Sequence, residues 1–368
     1  MRISLVHDYL VQYGGAERVL EVFSEMFPAA PIYTLIYDQD QLYGAFSGKK
    51  IRTSFLQNLP LAKSNHRLFP ALMPLAVEDL YLTAYDLVIS SSNSYTKGVI
   101  TRPDAIHICY CHTPMRYAWD DYHRHFQEFQ YVFWIKNLLP FIMNYIRLWD
   151  KISSDRVDYY LANSQNVANR IGKYYRMESD VLYPPVNTEV DFDPNSEGEY
   201  YLMLGRFLPY KHYDIVVKAF VRNGKPLHLV GSGSDEEHLK SLAKGSKNIK
   251  FLGRLSDEEA QIQFRGCKAL IFASEDDFGI VSVEAMAAGK PVIAYGKGGA
   301  LETVEEGKTG IFFMEQNPDC IIKAVNEFET LKFDAIYIHN YAQKFSKDTF
   351  KHNFYKFLEK YDKMMKKK

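Results

Sequence analysis

Residues 268–295 read KALIFASEDDFGIVSVEAMAAGKPVIAY, and the reading of this stretch decides the fold. Residues 268–273 form a short apolar run with β-branched weight and 291–295 repeat it, so both are expected as inner strands of a parallel sheet. Between them, 274–277 is acidic and turn-like. From Phe278 or Gly279 the pattern becomes helical, and it ends at Gly289 with Pro291 just beyond, as a helix stop should. A helix N-terminus is thereby set at the carboxyl end of a strand, where the backbone N–H groups of Gly279, Ile280 and Val281 suit a phosphate. Asp276 lies just before this helix and Glu284 about a turn and a half into it. An acidic first turn is common, because it offsets the helix dipole by ~0.3–1 kcal/mol. Glu284 says more. It stands among Val281, Val283, Ala285, Met286 and Ala287, where a carboxylate needs a partner, a ligand or a place on the helix's surface edge.

Outward from this stretch, the second half of the chain repeats the same theme. Strands are expected at 200–205, 227–231 and 249–252, with helices starting at Tyr213, Asp235 and Asp257. Gly205-Arg206, with Lys211 five residues further on, ends the first of these strands. Two cations facing a helix N-terminus would cradle a diphosphate, each contact contributing ~1.5–3 kcal/mol; solvated surface basics are the plainer reading. The run Gly231-Ser232-Gly233 has Glu236 where a dinucleotide loop has its third glycine, which disfavours NAD and an oxidoreductase. Gly253-Arg254-Leu255 ends another strand, and Gly298-Gly299 and 307–310 read as turns.

The first half opens with a strand at 2–7, the pair Gly14-Gly15 and a helix at 16–27, the first unit of a doubly wound domain. The glycines make either a tight turn or a close approach to a ligand. Further strands are expected at 32–37, 86–91, 105–111 and 157–163. His112 leaves one of them into the loop HTPMRYAWD, a place where ligands bind in open α/β sheets, though a lone histidine is also often a structural residue. Asp38-Gln39-Asp40 reads as a surface turn rather than a metal-holding acidic pair. Cys109 and Cys111, with His112, lack a second Cys/His pair at zinc spacing and read as small buried residues.

The chain has 368 residues, so two domains are expected, meeting after Pro184-Pro185: 1–186 and 187–345, with a basic-ended helix at 346–368. A net charge of −1 gives no bulk attraction to nucleic acid. Four cysteines make no disulfide framework, and the N-terminal apolar run is too short for a signal peptide, so a cytoplasmic setting is expected. The stretch 124–151 mixes Phe126, Phe129, Tyr131, Phe133, Trp134, Phe141, Tyr145 and Trp149 with Arg124, Lys136, Arg147 and Lys151. It suits either an anionic membrane surface, at ~1 kcal/mol per basic residue, or an ordinary buried helix pair.

Taken together, these motifs resemble family 4 of the retaining glycosyltransferases, enzymes of the GT-B architecture that use nucleotide-activated sugars. The resemblance rests on the acidic-x7-Glu pair Asp276 and Glu284, the Phe278-Gly279 turn between them, the EAMAAGKPVIA that follows, and the G-R-x4-K of Gly205, Arg206 and Lys211. The family usually has Glu where this chain has Asp276. The resemblance implies an α/β protein of two Rossmann-like doubly wound domains facing a cleft, the nucleotide on the second, the acceptor on the first, and the terminal helix crossing back to the first. It places Arg206, Lys211 and the turn Phe278–Val281 on the diphosphate, with Gly15 approaching from the first domain. Glu284 falls on the ribose, Leu255 beside the base, Asp276 on the sugar hydroxyls and His112 facing the sugar, with neither metal nor cofactor. The HTPMRYAWD loop is similar to that of a bacterial branch that builds surface polysaccharides on lipid carriers. That implies mannose transfer from GDP-mannose to a lipid-linked saccharide, in exopolysaccharide or lipopolysaccharide assembly, at the inner face of the cell membrane. A UDP-sugar donor is the alternative, and a catalytically silent partner subunit, suggested by Asp276, is another.

Overall fold

The structure, a computed structural model, describes residues 1–120, 122 and 133–365. The chain divides into two compact units, Met1–Tyr183 and Pro184–Lys368. The break falls slightly before the expected Val186. That residue already belongs to the second unit, where its N–H donates to Phe345 O at 2.8 Å and it bridges to Ser346. In this division the terminal helix Lys347–Met365 is part of the second unit.

The first unit is a parallel sheet of seven strands: β1 (Ile3–Leu10), β2 (Ile32–Tyr37), β3 (Ile51–Thr53), β4 (Leu87–Ser92), β5 (Ile106–Cys111), β6 (Tyr159–Ala162) and β7 (Ser179–Val181), in the order β3-β2-β1-β4-β5-β6-β7. β1 runs on through Asp8, past the expected end at His7, because the protein supplies that charge with donors. Asp8 is 1% exposed. Its carboxylate accepts the backbone N–H groups of Asn93, Ser94, Tyr95 and Thr96 at 2.6–2.9 Å, in the turn that follows β4.

The helix Phe133–Ser154 has two apolar stripes. One, with Leu139, Met143, Ile146 and Trp149, joins the core beside Val88, Tyr95 and Met115. The other, Leu138, Phe141, Tyr145, Leu148 and Ile152, is 47–74% exposed and recurs every three or four residues along the opposite face. Beneath the inner stripe lies an ion pair of Lys97 and Asp150, both essentially buried. Its desolvation is offset by further bonds: Trp119 Nε1–H donates to Asp150 at 2.8 Å and Lys97 Nζ donates to Ser94 O at 2.7 Å. Arg147 follows the second of the two sequence readings, the buried helix. It is turned inward rather than toward a membrane: Nε–H donates to Ala118 O at 2.7 Å and the guanidinium lies over the rings of Trp119 and Tyr122. The expected Arg124, Phe126, Phe129 and Tyr131, and the side chains of Phe133, Trp134 and Lys136, lie outside the described residues. Among the described residues no helix is long and apolar enough to cross a membrane.

The second unit is a parallel sheet of six strands: β8 (Tyr200–Leu204), β9 (Leu227–Val230), β10 (Ile249–Gly253), β11 (Cys267–Phe272), β12 (Val292–Tyr295) and β13 (Gly310–Phe313), in the order β10-β9-β8-β11-β12-β13. Its main core gathers Phe207, Tyr213, Phe220, Leu229, Ile271, Ile293 and Phe313, with the strand residues two apart on one face of the sheet. In its own strand count the second unit runs 3-2-1-4-5-6, the Rossmann order, and the first runs the same with a seventh strand added at the end, each with a reversal between its first and fourth strands. In such sheets ligands bind outside the carboxyl ends of the strands at that reversal.

Candidate functional site

In the second unit the reversal lies between β8 and β11, whose strands pair in parallel. The loop leaving β8 carries Gly205, Arg206 and Lys211; the loop leaving β11 carries Asp276 and leads into the helix Ile280–Ala287. Topology thus joins residues 65 positions apart: Lys211 Nζ donates to Asp276 Oδ2 at 2.5 Å. Both side chains are about four-fifths buried, at 21% and 19% exposure, so this is more than a solvated surface pair. Tyr213 is buried beside them, and burial, then the Asp276 charge, keeps its hydroxyl firmly protonated. Arg206 is exposed at the same rim, and Glu284 is half-buried one turn into the helix. Gly279, at φ +85°, is the helix N-cap and takes a left-handed conformation that a side chain would strain.

Two supports of this arrangement were not read as such from sequence, where Gly231 was weighed as part of a dinucleotide loop and Gly299 as a turn. Gly231 abuts the carbonyl of Gly205, so a side chain at 231 would collide with the β8 loop. Phe207 N–H donates to Ser232 O at 2.9 Å, which locks the two loops together. The glycine run after β9 is thus a buttress for the Arg206 loop. Likewise Gly299 N–H donates to Asp276 O at 2.8 Å and holds the acidic turn from the β12 side. The only sequence signal was glycine in the loop after each strand, directly after β9 and four residues beyond β12. Phe278 contributes backbone alone, because its ring is 3% exposed and packs edge-on against Phe345 at 5.5 Å. Leu255 follows β10, the edge strand two places from β8, and is half-buried.

In the first unit the reversal lies between β1 and β4, which pair with His7 opposite Ser91. Gly15 opens the helix Gly15–Met26 after β1, with Gly14 N–H donating to Glu17 Oε2 at 2.8 Å. His112, just past β5, is 7% exposed, and its Nε2 lies 2.8 Å from Ser91 Oγ. Burial pushes its pKa down to about 3, so the imidazole is neutral. His7 Nδ1 is 3.1 Å from the same Ser91 Oγ, and His7 Nε2 is 3.5 Å from Glu17 Oε1. A cleft of about 80 Å³ opens beside His7 and Glu17, lined also by Tyr9 stacked on His66. Among the described residues no group of three or more His, Cys, Asp or Glu is arranged to hold a metal ion.

Residues 187–351 match the family of glycosyl transferases group 1. Mouse alpha-1,3/1,6-mannosyltransferase ALG2 is 28% identical over 252 residues, covering 57% of this chain and 60% of the relative. The O-antigen chain mannosyltransferase C of Escherichia coli is 28% identical over 134 residues, 35% of this chain and 36% of that one. The chain spans about half to three fifths of the length of the first curated relatives it matches. Among solved structures, Anabaena Alr3699/HepE in complex with UDP superposes with a TM-score of 0.72 at 18% identity, covering 98% of this chain and 100% of that one. Two Rossmann-ordered sheets and this superposition give the chain the GT-B fold, and its residues 187–351 match the glycosyl transferases group 1 family.

Proposed function

We propose that the protein is a retaining glycosyltransferase that moves mannose from GDP-mannose onto a lipid-linked saccharide in surface-polysaccharide assembly. The observation that carries this reading is the Lys211–Asp276 pair at the sheet reversal of the second unit, at the mouth of the helix Ile280–Ala287. In this reading Asp276 exchanges Lys211 for the sugar hydroxyls when donor binds, and the released ammonium turns to the diphosphate. Arg206 and the N–H groups of Gly279, Ile280 and Val281 complete the phosphate cradle, which stabilises the charge that develops on the departing diphosphate. Glu284 takes the ribose hydroxyls, Leu255 lies beside the base, Gly15 approaches the diphosphate and His112 meets the sugar. The acceptor hydroxyl passes its proton to the leaving phosphate, so no protein base and no metal or other cofactor enters the scheme.

Mannose is supported by the mannosyltransferase names among the relatives, and the lipid-linked acceptor by the O-antigen one. The exposed stripe Leu138, Phe141, Tyr145, Leu148 and Ile152, with Lys151 beside it, supports a peripheral seat on the inner face of an anionic membrane. A UDP-sugar is the second reading, favoured by the UDP held in Alr3699/HepE. The test is a melting series with GDP, UDP, ADP and their mannose and glucose conjugates, since a ligand at a hundred times its Kd stabilises by ~2.7 kcal/mol. A GDP-selective shift followed by GDP-mannose turnover supports the first reading. A UDP-selective shift replaces mannose, and no nucleotide response moves the silent-subunit reading ahead.

A further inference from the structure

Four buried polar residues of the first unit form one line, of which the reaction scheme above uses only His112. Glu17, His7, Ser91 and His112 are 4%, 1%, 1% and 7% exposed. They come from the first helix, β1, β4 and the loop after β5, and they meet because β1 and β4 are neighbours in register at His7 and Ser91. The line runs from Glu17 Oε1 to His7 Nε2 at 3.5 Å, from His7 Nδ1 to Ser91 Oγ at 3.1 Å, and from Ser91 Oγ to His112 Nε2 at 2.8 Å.

The chemistry of its first member gives the line a direction. A carboxylate only accepts hydrogen bonds, so the imidazole nitrogen facing it carries the hydrogen, here His7 Nε2. With its one ring hydrogen on Nε2, His7 keeps its lone pair on Nδ1, and Ser91 donates its hydroxyl hydrogen to it. The Ser91 oxygen is left to accept, which sets the His112 hydrogen on Nε2 and the His112 lone pair on Nδ1. The other Glu17 oxygen holds Gly14 N–H at 2.8 Å, so the same carboxylate also anchors the glycine turn.

We infer that Glu17, His7 and Ser91 are positioning residues that fix His112 as the Nε2–H tautomer, so that its Nδ1 accepts a hydrogen bond from a hydroxyl of the donor sugar. The inference rests on the reading that His112 meets the sugar. The chain itself can be tested apart from that reading.

The experiment uses the full-length chain labelled with nitrogen-15 histidine, with the His112 signals assigned by His112→Gln. Two-bond proton–nitrogen correlation spectra report which ring nitrogen carries the hydrogen, without substrate. We expect a single Nε2–H tautomer in the native protein and in Ser91→Thr, and its loss in Ser91→Ala and Glu17→Gln at little-changed melting temperature. In turnover with the sugar nucleotide that the melting series selects, Ser91→Ala should lower kcat about tenfold, as one lost orienting hydrogen bond would. The Kd of the nucleoside diphosphate should be unchanged, and Ser91→Thr should restore the rate. An Nδ1–H tautomer, a mixture of tautomers in the native protein, or one indifferent to Ser91→Ala overturns the inference, whether or not any donor is turned over. A tautomer lost in Ser91→Ala with kcat unchanged overturns it too. Native turnover absent with every donor, beside the expected spectra, counts against the proposed function and not against the chain.

Discussion

Removing the Lys211 ammonium is the perturbation with the most to say about the second unit. In the ligand-free protein its pair with Asp276 is 2.5 Å long and about one-fifth exposed. Lys211→Ala leaves a mostly buried carboxylate without its cation, a cost between that of a surface pair and that of a fully buried one, so about 1 kcal/mol is expected. For a unit of this size that is a fall of about 2–4 °C in melting temperature. The loss in binding is larger. If the ammonium holds the diphosphate, one charge-assisted contact of ~1.5–3 kcal/mol goes, which weakens nucleoside-diphosphate affinity roughly ten- to 150-fold. Asp276→Asn should act with the opposite sign. It frees the ammonium and removes a like charge from the phosphates, so nucleoside diphosphate should bind roughly fivefold tighter, about 1 kcal/mol, while sugar transfer is lost. Titration calorimetry with GDP and UDP on both variants measures this. Affinity within twofold of native in Lys211→Ala, or weakened in Asp276→Asn, would refute the competition between carboxylate and diphosphate.

Other expectations concern the first unit. Arg147→Ala should destabilise it by about 1–2 kcal/mol, because Ala118 O loses its donor and two aromatic rings lose a cation; an unchanged melting curve would contradict that packing. Phe141→Ser with Leu148→Ser should reduce sedimentation with anionic vesicles at unchanged melting temperature, and native binding by the double variant would remove this face from the membrane. Burial holds the pKa of His107 down to about 4 and that of His112 down to about 3, against ~6.5 in an unfolded chain. The unfolded state therefore binds more protons between those values, and stability should fall as pH drops from ~6.5 toward 4. His107→Gln should make the dependence of melting temperature on pH shallower, and an unaltered slope would count against the buried neutral imidazole.

The alternation of apolar runs and turns made most strands legible, including β8, β9, β11 and β12, because strands buried on both faces read as continuous hydrophobic stretches. The short strands β3, β7 and β13 did not show. Ile51–Thr53 sits in a basic stretch, and Gly310–Phe313 begins on a glycine that read as a turn. Partners distant in sequence were the harder part. Nothing local tells that Lys211 meets Asp276, that Gly231 abuts Gly205, or that Glu17 and His7 line up behind His112; each follows only once the strand order is known. Which of the two readings Arg147 follows was hidden for a related reason. Composition counts a basic residue near aromatics, but helix phase decides which face it is on, and 147 shares a side with the buried 143, 146 and 150.

The two units share one strand order but have been given different electrical fates, and Asp8 is where they part. After the fourth strand of either sheet the chain turns, presenting backbone donors where an anion can settle. In the first unit the protein has installed its own tenant there, a carboxylate that takes four N–H groups at once. In the second unit the corresponding turn runs into a helix whose glycine cap brings no side chain to its mouth. A repeated architecture is thereby made asymmetric: in one half a carboxylate takes the turn's donors from within, and in the other the donors at the glycine cap are left to the phosphate that the proposed reaction would bring.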